Sequence, residues 1–399
     1  MKKQEIKTDG IPNPPPIKRK GKHSRLGDYL VIGIFLVLIY GFTVASLLSP
    51  EKGFSENENR VLASKPDFTV DALFDGTYAT KYETYVTDQF VLRDSWISIK
   101  TGVERMMLKR DINGVYFAKD GYLIEKLDEE DINKDQMNKN ITYLTNFIQK
   151  YASILGEDRV HAMIVPTAYE ILTDKLPAFA TGFDQDTLLD AIQSVLGANF
   201  VDTRSILRAH ADDYIYYRTD HHWTVKGAYL AYTEWAKASG FTPWSEEDFT
   251  IRLVSSDFLG TIYSKVNTKV TPDDMYIYDT DESYTVEYNM DKIKHDTLYA
   301  LDRLETKDKY TVYLTGNNAL VEINSTVTNG RNLLIIKDSY AHCFAPFAAN
   351  HYENVYMIDF RYFNMPVSSF IESNNITDIL VLYNASSFLE DRNIYNLSR

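Results

Sequence analysis

The sequence predicts an α/β fold with a mostly parallel sheet, preceded by a transmembrane helix. Three observations support this prediction. Apolar, strand-like stretches alternate with helix-like stretches over much of the chain, which is typical of parallel strands joined by helices. A run of 20 residues without a charged side chain lies near the N-terminus. Residues 241–330 break the alternation with many Tyr, Val and Thr residues, which indicates an antiparallel β-rich insertion.

Composition limits the class of protein. The 399 residues are enough for one large domain or two ordinary ones, and 44% hydrophobic with 25% charged residues is typical of a globular protein. A net charge of −14 argues against nucleic-acid binding, because phosphate contacts need clustered Lys and Arg. The single cysteine, Cys343, excludes an internal disulfide and a cysteine-based metal site.

The N-terminal region predicts a membrane anchor. Residues 1–28 are basic and rich in proline, which favours a disordered cytoplasmic tail. Residues 29–48 would rise about 30 Å as a helix, enough to cross a bilayer. Basic residues precede this run and acidic ones follow, so the positive-inside rule puts the rest of the chain outside the cytoplasm. A signal peptide cleaved near 44–46 is the alternative, although signal peptides usually have a shorter apolar core.

The rest of the chain predicts a helical membrane-proximal segment, 49–110, and an α/β domain, 111–399. Within 49–110, the stretch 78–109 reads as an amphipathic helix with a packed aromatic face. The elements of the domain are predicted as short strands with glycine turns between 113 and 124, helix 136–155, strand 160–165, helix 184–196, helix 225–238, strand 332–337, helix 340–350, strand 354–359, helix 366–373 and strand 378–383. Strand 160–165 ends at Pro166, and Pro346 predicts a bend in helix 340–350.

Two short motifs carry the candidate chemistry. Asp220 precedes His222 by two residues, and a carboxylate can hold an imidazole in the tautomer that accepts a proton. Ser339 follows strand 332–337 at the predicted start of a helix, where backbone amides suit a developing oxyanion. Because a serine hydroxyl needs an adjacent base to become a nucleophile, we predict that Ser339, His222 and Asp220 meet as a catalytic triad for acyl transfer.

The ends of the next two predicted strands supply further candidates. Parallel strands place their carboxyl ends at one edge of a sheet, so Arg361 and Asn384 are predicted near Ser339 as oxyanion donors. Residues next to these motifs are candidates to face the substrate, namely His221, Trp223 and Tyr362. For Trp223, packing that holds the loop in place is the simpler interpretation.

Other interpretations of the same residues remain open. Asp220, His221 and His222 are ordinary zinc ligands, but adjacent histidines on an extended segment point to opposite faces, so we predict no metal. Ser339 could instead cap a helix N-terminus, which is the commonest reason for an Asp-Ser pair there. His342 is a competing base one turn later, but it has no orienting carboxylate nearby in the sequence.

The segment Thr219-Asp220-His221-His222-Trp223 resembles the signature of the DHHW protein family, which is related to the alginate O-acetylation proteins of the SGNH hydrolase superfamily. Two further stretches resemble family patterns, Asn113-Gly114-Val115-Tyr116 and Ile336-Lys337-Asp338-Ser339-Tyr340, and so does 56–60. Together they cover most of residues 54–384. The resemblance implies an SGNH-hydrolase-like, flavodoxin-like three-layer sandwich.

The resemblance also implies roles for individual residues. Asp220, His222 and Ser339 match the alginate-type triad, while Arg361 falls at the superfamily's glycine position and Asn384 at its asparagine position. Two departures weaken the match: the spacing is Asp-x-His where the superfamily has Asp-x-x-His, and Lys-Asp-Ser replaces Gly-Asp-Ser.

These observations predict a membrane-anchored, extracytoplasmic O-acetyltransferase or acetylesterase that acts on a cell-surface polysaccharide without a cofactor. The resemblance implies a membrane-bound O-acyltransferase partner that supplies acetyl groups. The alternative is a non-catalytic carbohydrate-binding or assembly factor of a polysaccharide-modification complex.

Overall fold

The computed structural model describes residues 25–55 and 60–399. Most of the predicted basic tail, 1–28, and most of the motif at 56–60 lie outside the described residues. The chain divides into two units. One runs to Gly53 and also contains Leu62–Val91, and the other contains Phe54–Val61 and Leu92–Arg399.

The first unit is helical. Helix α1, Arg25–Leu48, is followed by α2, Val70–Phe74, and α3, Thr77–Asp88. The predicted run 29–48 lies within α1, whose apolar side chains are exposed, and α1 is long and apolar enough to cross a membrane by length and composition. An N-terminal helix of this kind could be an anchor or a signal sequence.

The second unit holds all the remaining described helices and strands. Its strands are β1 Phe54–Ser55, β2 Arg60–Val61, β3 Asp111–Ile112, β4 Val115–Phe117, β5 Leu123–Glu125, β6 Val160–Val165, β7 Thr250–Phe258, β8 Asp273–Asp279, β9 Thr285–Tyr288, β10 Leu320–Asn324, β11 Asn332–Lys337, β12 Asn354–Ile358 and β13 Asp378–Asn384. Its helices are α4 Arg93–Met106, α5 Lys134–Leu155, α6 Ala168–Ile171, α7 Gln185–Leu196, α8 Arg204–Ala209, α9 Val225–Ala238, α10 Thr261–Val266, α11 Ala341–Ala348, α12 Val367–Ser373 and α13 Ala385–Glu390. The stretch 78–109, predicted as one helix, is therefore interrupted between α3 and α4.

The main sheet is mixed, with the strand order β6-β13-β11-β12-β10-β9. The four strands β6, β13, β11 and β12 are parallel to one another, and they are the strands that the alternating pattern predicts. β10 pairs antiparallel with β12 and with β9. Both antiparallel strands come from residues 241–330, so part of the predicted insertion extends the main sheet.

Strand β11 lies at the centre of the core and is apolar on both faces. Leu333 and Ile335 belong to one buried cluster, and Leu334 and Ile336 belong to another. Helices α9 and α11 contribute to the first cluster, and α5, α7, α12 and α13 to the second. Full burial of a Leu or Ile side chain stabilises a fold by about 1.5 to 3 kcal/mol. Truncating one of these residues to Ala should therefore destabilise the sheet that ends next to Ser339.

Pro346 does not break the helix that contains it. Helix α11 continues through this residue to Ala348, and a short 3-10 turn follows. The side-chain amide of Asn350 donates hydrogen bonds to the Pro346 and Phe347 carbonyl oxygens. These bonds satisfy acceptors at the end of the helix, where the last carbonyl groups have no partner within the helix.

Another part of the predicted insertion is an antiparallel strand pair. Strands β7 and β8 pair antiparallel with irregular register, and helix α10 lies between them in the chain. A second small sheet, β3-β4-β5, contains the predicted strands near 113–124. Asn113 and Gly114 connect β3 and β4 with positive φ angles of 53° and 72°, which is typical of a tight hairpin turn.

Candidate active site

The segment that carries Asp220 and His222 is a tight turn. Tyr216 and Trp223 form an antiparallel bridge, and the Tyr217 N–H donates to the His222 carbonyl oxygen at 3.2 Å. Within this turn the His222 N–H donates to Asp220 Oδ1 at 3.0 Å. The turn therefore directs the Asp220 side chain back towards the residue that follows it by two positions.

A buried carboxylate from β8 holds the start of this turn. Asp273 accepts hydrogen bonds from the backbone N–H groups of Arg218 and Thr219, both at 2.8 Å, and from the Thr219 hydroxyl at 2.6 Å. The Tyr214 hydroxyl donates to the same carboxylate at 2.5 Å. Burial raises the pKa of Asp273 although these donors oppose the shift. Sequence reasoning missed Asp273, because no motif links it to residues more than 50 positions earlier.

The three residues predicted to form a triad lie in one hydrogen-bonded chain. His222 Nδ1 is 2.5 Å from Asp220 Oδ1, and His222 Nε2 is 2.7 Å from Ser339 Oγ. Asp220 and His222 are buried, whereas Ser339 is half-buried. Because an ionised carboxylate only accepts hydrogen bonds, Nδ1 carries the proton and Nε2 is left to accept from the serine hydroxyl. This arrangement can transfer a proton from Ser339 to His222.

The second oxygen of Asp220 is held by the start of α10. Thr261 donates to Asp220 Oδ2 from its backbone N–H at 2.7 Å and from its hydroxyl at 3.0 Å. Burial alone would raise the pKa of Asp220, but the adjacent histidines and these hydrogen bonds hold it below its usual value. The carboxylate therefore stays ionised and fixed in position beside the imidazole.

The imidazole of His222 lies between two other rings. Tyr310 stacks on it with ring centroids 3.7 Å apart and planes inclined by 9°, and His221 lies 3.9 Å away at 36°. The Tyr310 hydroxyl donates to the Ser339 carbonyl oxygen at 3.2 Å and lies 3.3 Å from Cys343 Sγ. Sequence reasoning did not single out Tyr310, which is one of 29 tyrosines and has no motif around it.

The His222 imidazole is neutral at ordinary pH. Burial, followed by the charge of the neighbouring His221, lowers its pKa to about 4, although Asp220 and its hydrogen bond oppose this shift. A neutral imidazole has a lone pair on Nε2, which a general base requires.

The turn and the Ser339 segment are tied together by two hydrogen bonds. Trp223 Nε1 donates to the Tyr340 carbonyl oxygen at 3.0 Å, and the Tyr340 hydroxyl donates to the His221 carbonyl oxygen at 2.7 Å. Trp223 is fully buried, so its place among the substrate-facing candidates is wrong. The indole packs inside the protein because its single N–H finds a partner there.

Ser339 does not cap α11, whose N-cap residue is Tyr340 and whose N-terminus has no side-chain cap. Asp338 Oδ1 accepts a hydrogen bond from the Tyr340 N–H at 2.8 Å, just before α11, while the Ser339 hydroxyl faces His222. Burial raises the pKa of Asp338 to about 6. Within the described part of the chain, the Ser339 backbone N–H has no hydrogen-bond partner, so it can donate to the oxyanion that forms on a carbonyl oxygen when the Ser339 hydroxyl attacks.

Both predicted oxyanion side chains are engaged by other groups of the protein. Asn384 Nδ2 donates to Asp338 Oδ2 at 2.7 Å and to Ser387 Oγ at 2.8 Å, which occupies both amide hydrogens. Arg361 binds Asp359 through Nε at 2.8 Å and through its terminal nitrogen at 2.6 Å. Arg361 is nevertheless close enough for its charge to lower the pKa of His222.

The alternative base, His342, faces a buried lysine. Lys337 Nζ lies 2.8 Å from His342 Nε2 and donates to Asp359 Oδ2 at 3.2 Å. Burial, followed by the charge of Lys337, lowers the pKa of His342 well below its usual value. In the described residues His342 meets Ser339 only through its backbone N–H, which donates to the Ser339 carbonyl oxygen. Lys337, which replaces the glycine of the Gly-Asp-Ser pattern, therefore belongs to a buried polar group with Asp359 and His342.

The argument that adjacent histidines point to opposite faces is wrong here. His221 and His222 lie on a turn, so their rings approach to 3.9 Å, and their nitrogens lie within 4.8 Å of an Asp220 oxygen. A cation at this place would have to displace existing hydrogen bonds, since both nitrogens of His222 are engaged and His221 Nδ1 lies 2.7 Å from Thr261 Oγ1.

The other substrate-facing candidates are accessible. His221 is partly exposed and lines a cavity of about 430 Å³ together with Thr261 and Asn384. Tyr362 is 50% exposed and lies under the Arg361 guanidinium, 5.5 Å from the ring centroid. Ser339 and His222 do not line the cavity themselves, but its wall includes His221, whose ring lies 3.9 Å from that of His222, and Thr261, which binds Asp220.

Comparison with known proteins gives one family and several similar folds. A model of the family described as DHHW protein matches residues 140–358. A DHHW family protein from Eubacterium siraeum has 27% identity and a TM-score of 0.61, over 72% of this chain and 96% of that chain. Bacillus cereus PatB1 with a sulfonyl adduct has 19% identity and a TM-score of 0.57, over 72% and 98%.

A weaker similarity links the chain to the O-acetyltransferase domain of Pseudomonas putida AlgJ, with 14% identity and a TM-score of 0.42 over 72% of this chain and 99% of that domain. No curated protein matches the sequence.

Proposed function

The chain belongs to the DHHW protein family, and we propose that it is a membrane-anchored, extracytoplasmic O-acetyltransferase, or acetylesterase, of a cell-surface polysaccharide. The observation that carries this proposal is the hydrogen-bonded chain from Asp220 through His222 to a partly exposed Ser339. A carboxylate, a neutral imidazole and a hydroxyl in this order are the parts that serine acyl transfer needs.

In the first half of the proposed reaction, Ser339 Oγ attacks the carbonyl carbon of an acetyl ester. His222 Nε2 takes the hydroxyl proton as the new C–O bond forms, and Asp220 stabilises the resulting imidazolium. The carbonyl oxygen becomes an oxyanion that the Ser339 backbone N–H can stabilise. The tetrahedral intermediate then collapses, the leaving alcohol takes the proton from His222, and an acetyl-serine remains.

In the second half, an acceptor hydroxyl attacks the acetyl-serine. His222 Nε2 removes the proton of this hydroxyl and returns it to Ser339 Oγ when the acyl bond to serine breaks. A sugar hydroxyl as the acceptor gives a transferase, and water gives an esterase. The same residues serve both outcomes, so the acceptor that occupies the site determines the product.

The N-terminal helix sets the proposed location. Helix α1 serves as the anchor, residues 49–110 as the membrane-proximal segment, and 111–399 as the catalytic domain outside the cytoplasm. Acetyl-CoA is a cytoplasmic donor, so a membrane-bound O-acyltransferase partner would supply the acetyl group. The resemblance of the DHHW family to the alginate O-acetylation proteins suggests a polysaccharide as the acceptor.

The experiment is hydrolysis of 4-nitrophenyl acetate by the purified protein, combined with labelling by a sulfonyl fluoride. We choose this label because PatB1, which shares the fold, has been solved with a sulfonyl adduct. Ser339→Ala should abolish both labelling and hydrolysis, whereas Ser194→Ala, at an exposed serine of α7, should change neither. Labelling or hydrolysis that persists in folded Ser339→Ala would exclude Ser339 as the nucleophile. Absence of both in the wild type would leave the non-catalytic binding or assembly role.

A further inference from the structure

We infer that the cavity beside His221 and Asn384 is the acceptor site, and that it takes an uncharged or amino-bearing glycan in preference to a uronate polymer. This inference rests on the proposed function, because it names the substrate class of the same site. It is carried by the position of the cavity and by the charges on its wall.

The cavity lies against the groups that hold the proposed triad. Thr261, which donates two hydrogen bonds to Asp220, forms part of its wall, and so does His221, whose ring lies 3.9 Å from that of His222. Asn384 lines it too and donates to Asp338, the neighbour of Ser339. A chain bound in this cavity would therefore reach the His222 and Ser339 side chains from the side of His221.

The size and chemistry of the wall suit a sugar. About 430 Å³ is within the range of small-molecule sites. The wall combines the ring of Tyr169 with the hydroxyl groups of Thr167 and Ser386. An aromatic ring covers the apolar face of a sugar, and hydroxyl, amide and carboxylate groups accept and donate hydrogen bonds to its hydroxyl groups.

The charges on the wall are predominantly negative. Four carboxylates line the cavity, and the only cationic side chains among the described lining residues are those of two lysines. Lys126 pairs with Asp128 at 2.6 Å, and Lys265 pairs with Glu125. Each lysine is thus already neutralised by a carboxylate, so neither pair presents a net positive charge to an incoming carboxylate.

Two carboxylates remain uncompensated. Asp131 and Glu390 are exposed, and within the described chain neither side-chain carboxylate has an ion-pair or hydrogen-bond partner. A uronate polymer such as alginate carries one negative charge on each sugar, and like charges disfavour binding in a site without a free cation. An uncharged glycan avoids this repulsion, and an amino sugar gains a favourable interaction.

The test measures acetyl transfer from 4-nitrophenyl acetate to three oligosaccharides of equal length: a chitosan oligomer, an N-acetylglucosamine oligomer and a galacturonate oligomer. At low salt we expect a KM for the galacturonate oligomer at least tenfold above those for the other two. The double variant Asp131→Asn/Glu390→Gln should reduce this ratio severalfold. Glu130→Gln, at an exposed carboxylate in the same loop that does not line the cavity, should leave the ratio as in the wild type.

The outcomes separate this inference from the function on which it rests. A protein that does not hydrolyse 4-nitrophenyl acetate refutes the proposed function. A protein that hydrolyses it, but transfers acetyl to galacturonate with an equal or lower KM, refutes the acceptor class. Hydrolysis without transfer to any of the three oligosaccharides, or a ratio unchanged in the double variant, refutes the assignment of this cavity as the acceptor site.

Discussion

Gly260 is the position at which one added methyl group should test the role of Asp220. Its backbone is extended, with φ −84° and ψ −165°, so alanine can adopt the same conformation. An ideal Cβ at this position would lie 2.6 Å from Cγ of Asp220 and closer still to Cβ and Oδ2 of the same residue. Gly260→Ala therefore acts on the carboxylate by contact alone.

The size of the effect follows from that contact. Carbon atoms pack at about 3.5 to 4.0 Å, so Asp220 or the Gly260 backbone must move by roughly 1 Å. The Gly260 N–H donates to Thr219 Oγ1 at 3.0 Å and the next residue, Thr261, holds Asp220 Oδ2, so neither side can move without losing hydrogen bonds. A misplacement of about 1 Å costs on the order of 100-fold in rate. Loss of the orienting carboxylate costs about 10⁴-fold. We expect kcat to fall by a factor between these two limits.

The assay is kcat for 4-nitrophenyl acetate, measured beside the thermal unfolding temperature. Overpacking costs about 1 to 3 kcal/mol, so Gly260→Ala should remain folded with a lower unfolding temperature. Gly102→Ala is the matched control, because an added Cβ there meets no atom within 4 Å and alanine favours the interior of α4.

Asp220→Asn should give a similar loss of kcat without the steric change. A folded Gly260→Ala protein with a kcat within threefold of the wild type would refute the reasoning that Asp220 must sit where the structure has it.

Further predictions follow from the same site and from the buried histidines. Tyr310→Phe keeps the ring that stacks on His222 and should retain kcat within about threefold, whereas Tyr310→Leu should lose about tenfold. Because burial lowers the pKa of His222 to about 4, kcat/KM should be independent of pH above that value and fall below it; a fall already centred near pH 6.5 would contradict this. Burial also lowers the pKa of His161 to about 4, below the unfolded value of about 6.5, so the free energy of unfolding should fall by up to about 3 kcal/mol as the pH drops from 6.5 to 4. When urea denaturation is measured at pH 6.5 and at pH 4, His161→Gln should reduce the difference between the two free energies of unfolding. An unchanged difference would contradict the predicted contribution of His161. EDTA should leave hydrolysis unchanged, because both ring nitrogens of His222 bind groups of the chain itself; activity lost with EDTA and restored by Zn²⁺ would contradict it.

The regular elements near the site could be predicted because their signals are local. Strand 160–165 is uninterruptedly buried and helix 225–238 has apolar residues at helical spacing, and both have the predicted bounds. The approach of Ser339 to His222 was predicted from chemistry, because a serine hydroxyl needs an adjacent base to become a nucleophile. The catalytic role of these residues is still a prediction.

What could not be predicted depends on contacts between distant residues. Asn384 was correctly expected at a strand end, but its amide hydrogens are occupied by Asp338 and Ser387, and only the folded structure reveals that competition. The two histidines were expected on opposite faces because an extended segment was assumed, whereas the hydrogen bond between Tyr217 and His222 closes a turn. The antiparallel strand β10 reads like any strand of an insertion, and its pairing with β12 has no local signal.

Residues 241–330 contribute directly to the site. A tight turn leaves backbone N–H groups without the partners that a sheet would provide, and buried groups of this kind must find acceptors elsewhere. Asp273 accepts from two of them, Thr261 fixes Asp220, and Tyr310 stacks on His222. All three residues belong to this stretch, although their neighbours on the turn lie at 218–222. A spacing of two residues thus allows the hydrogen bond between Asp220 and His222, because a separate part of the chain holds each side chain in place.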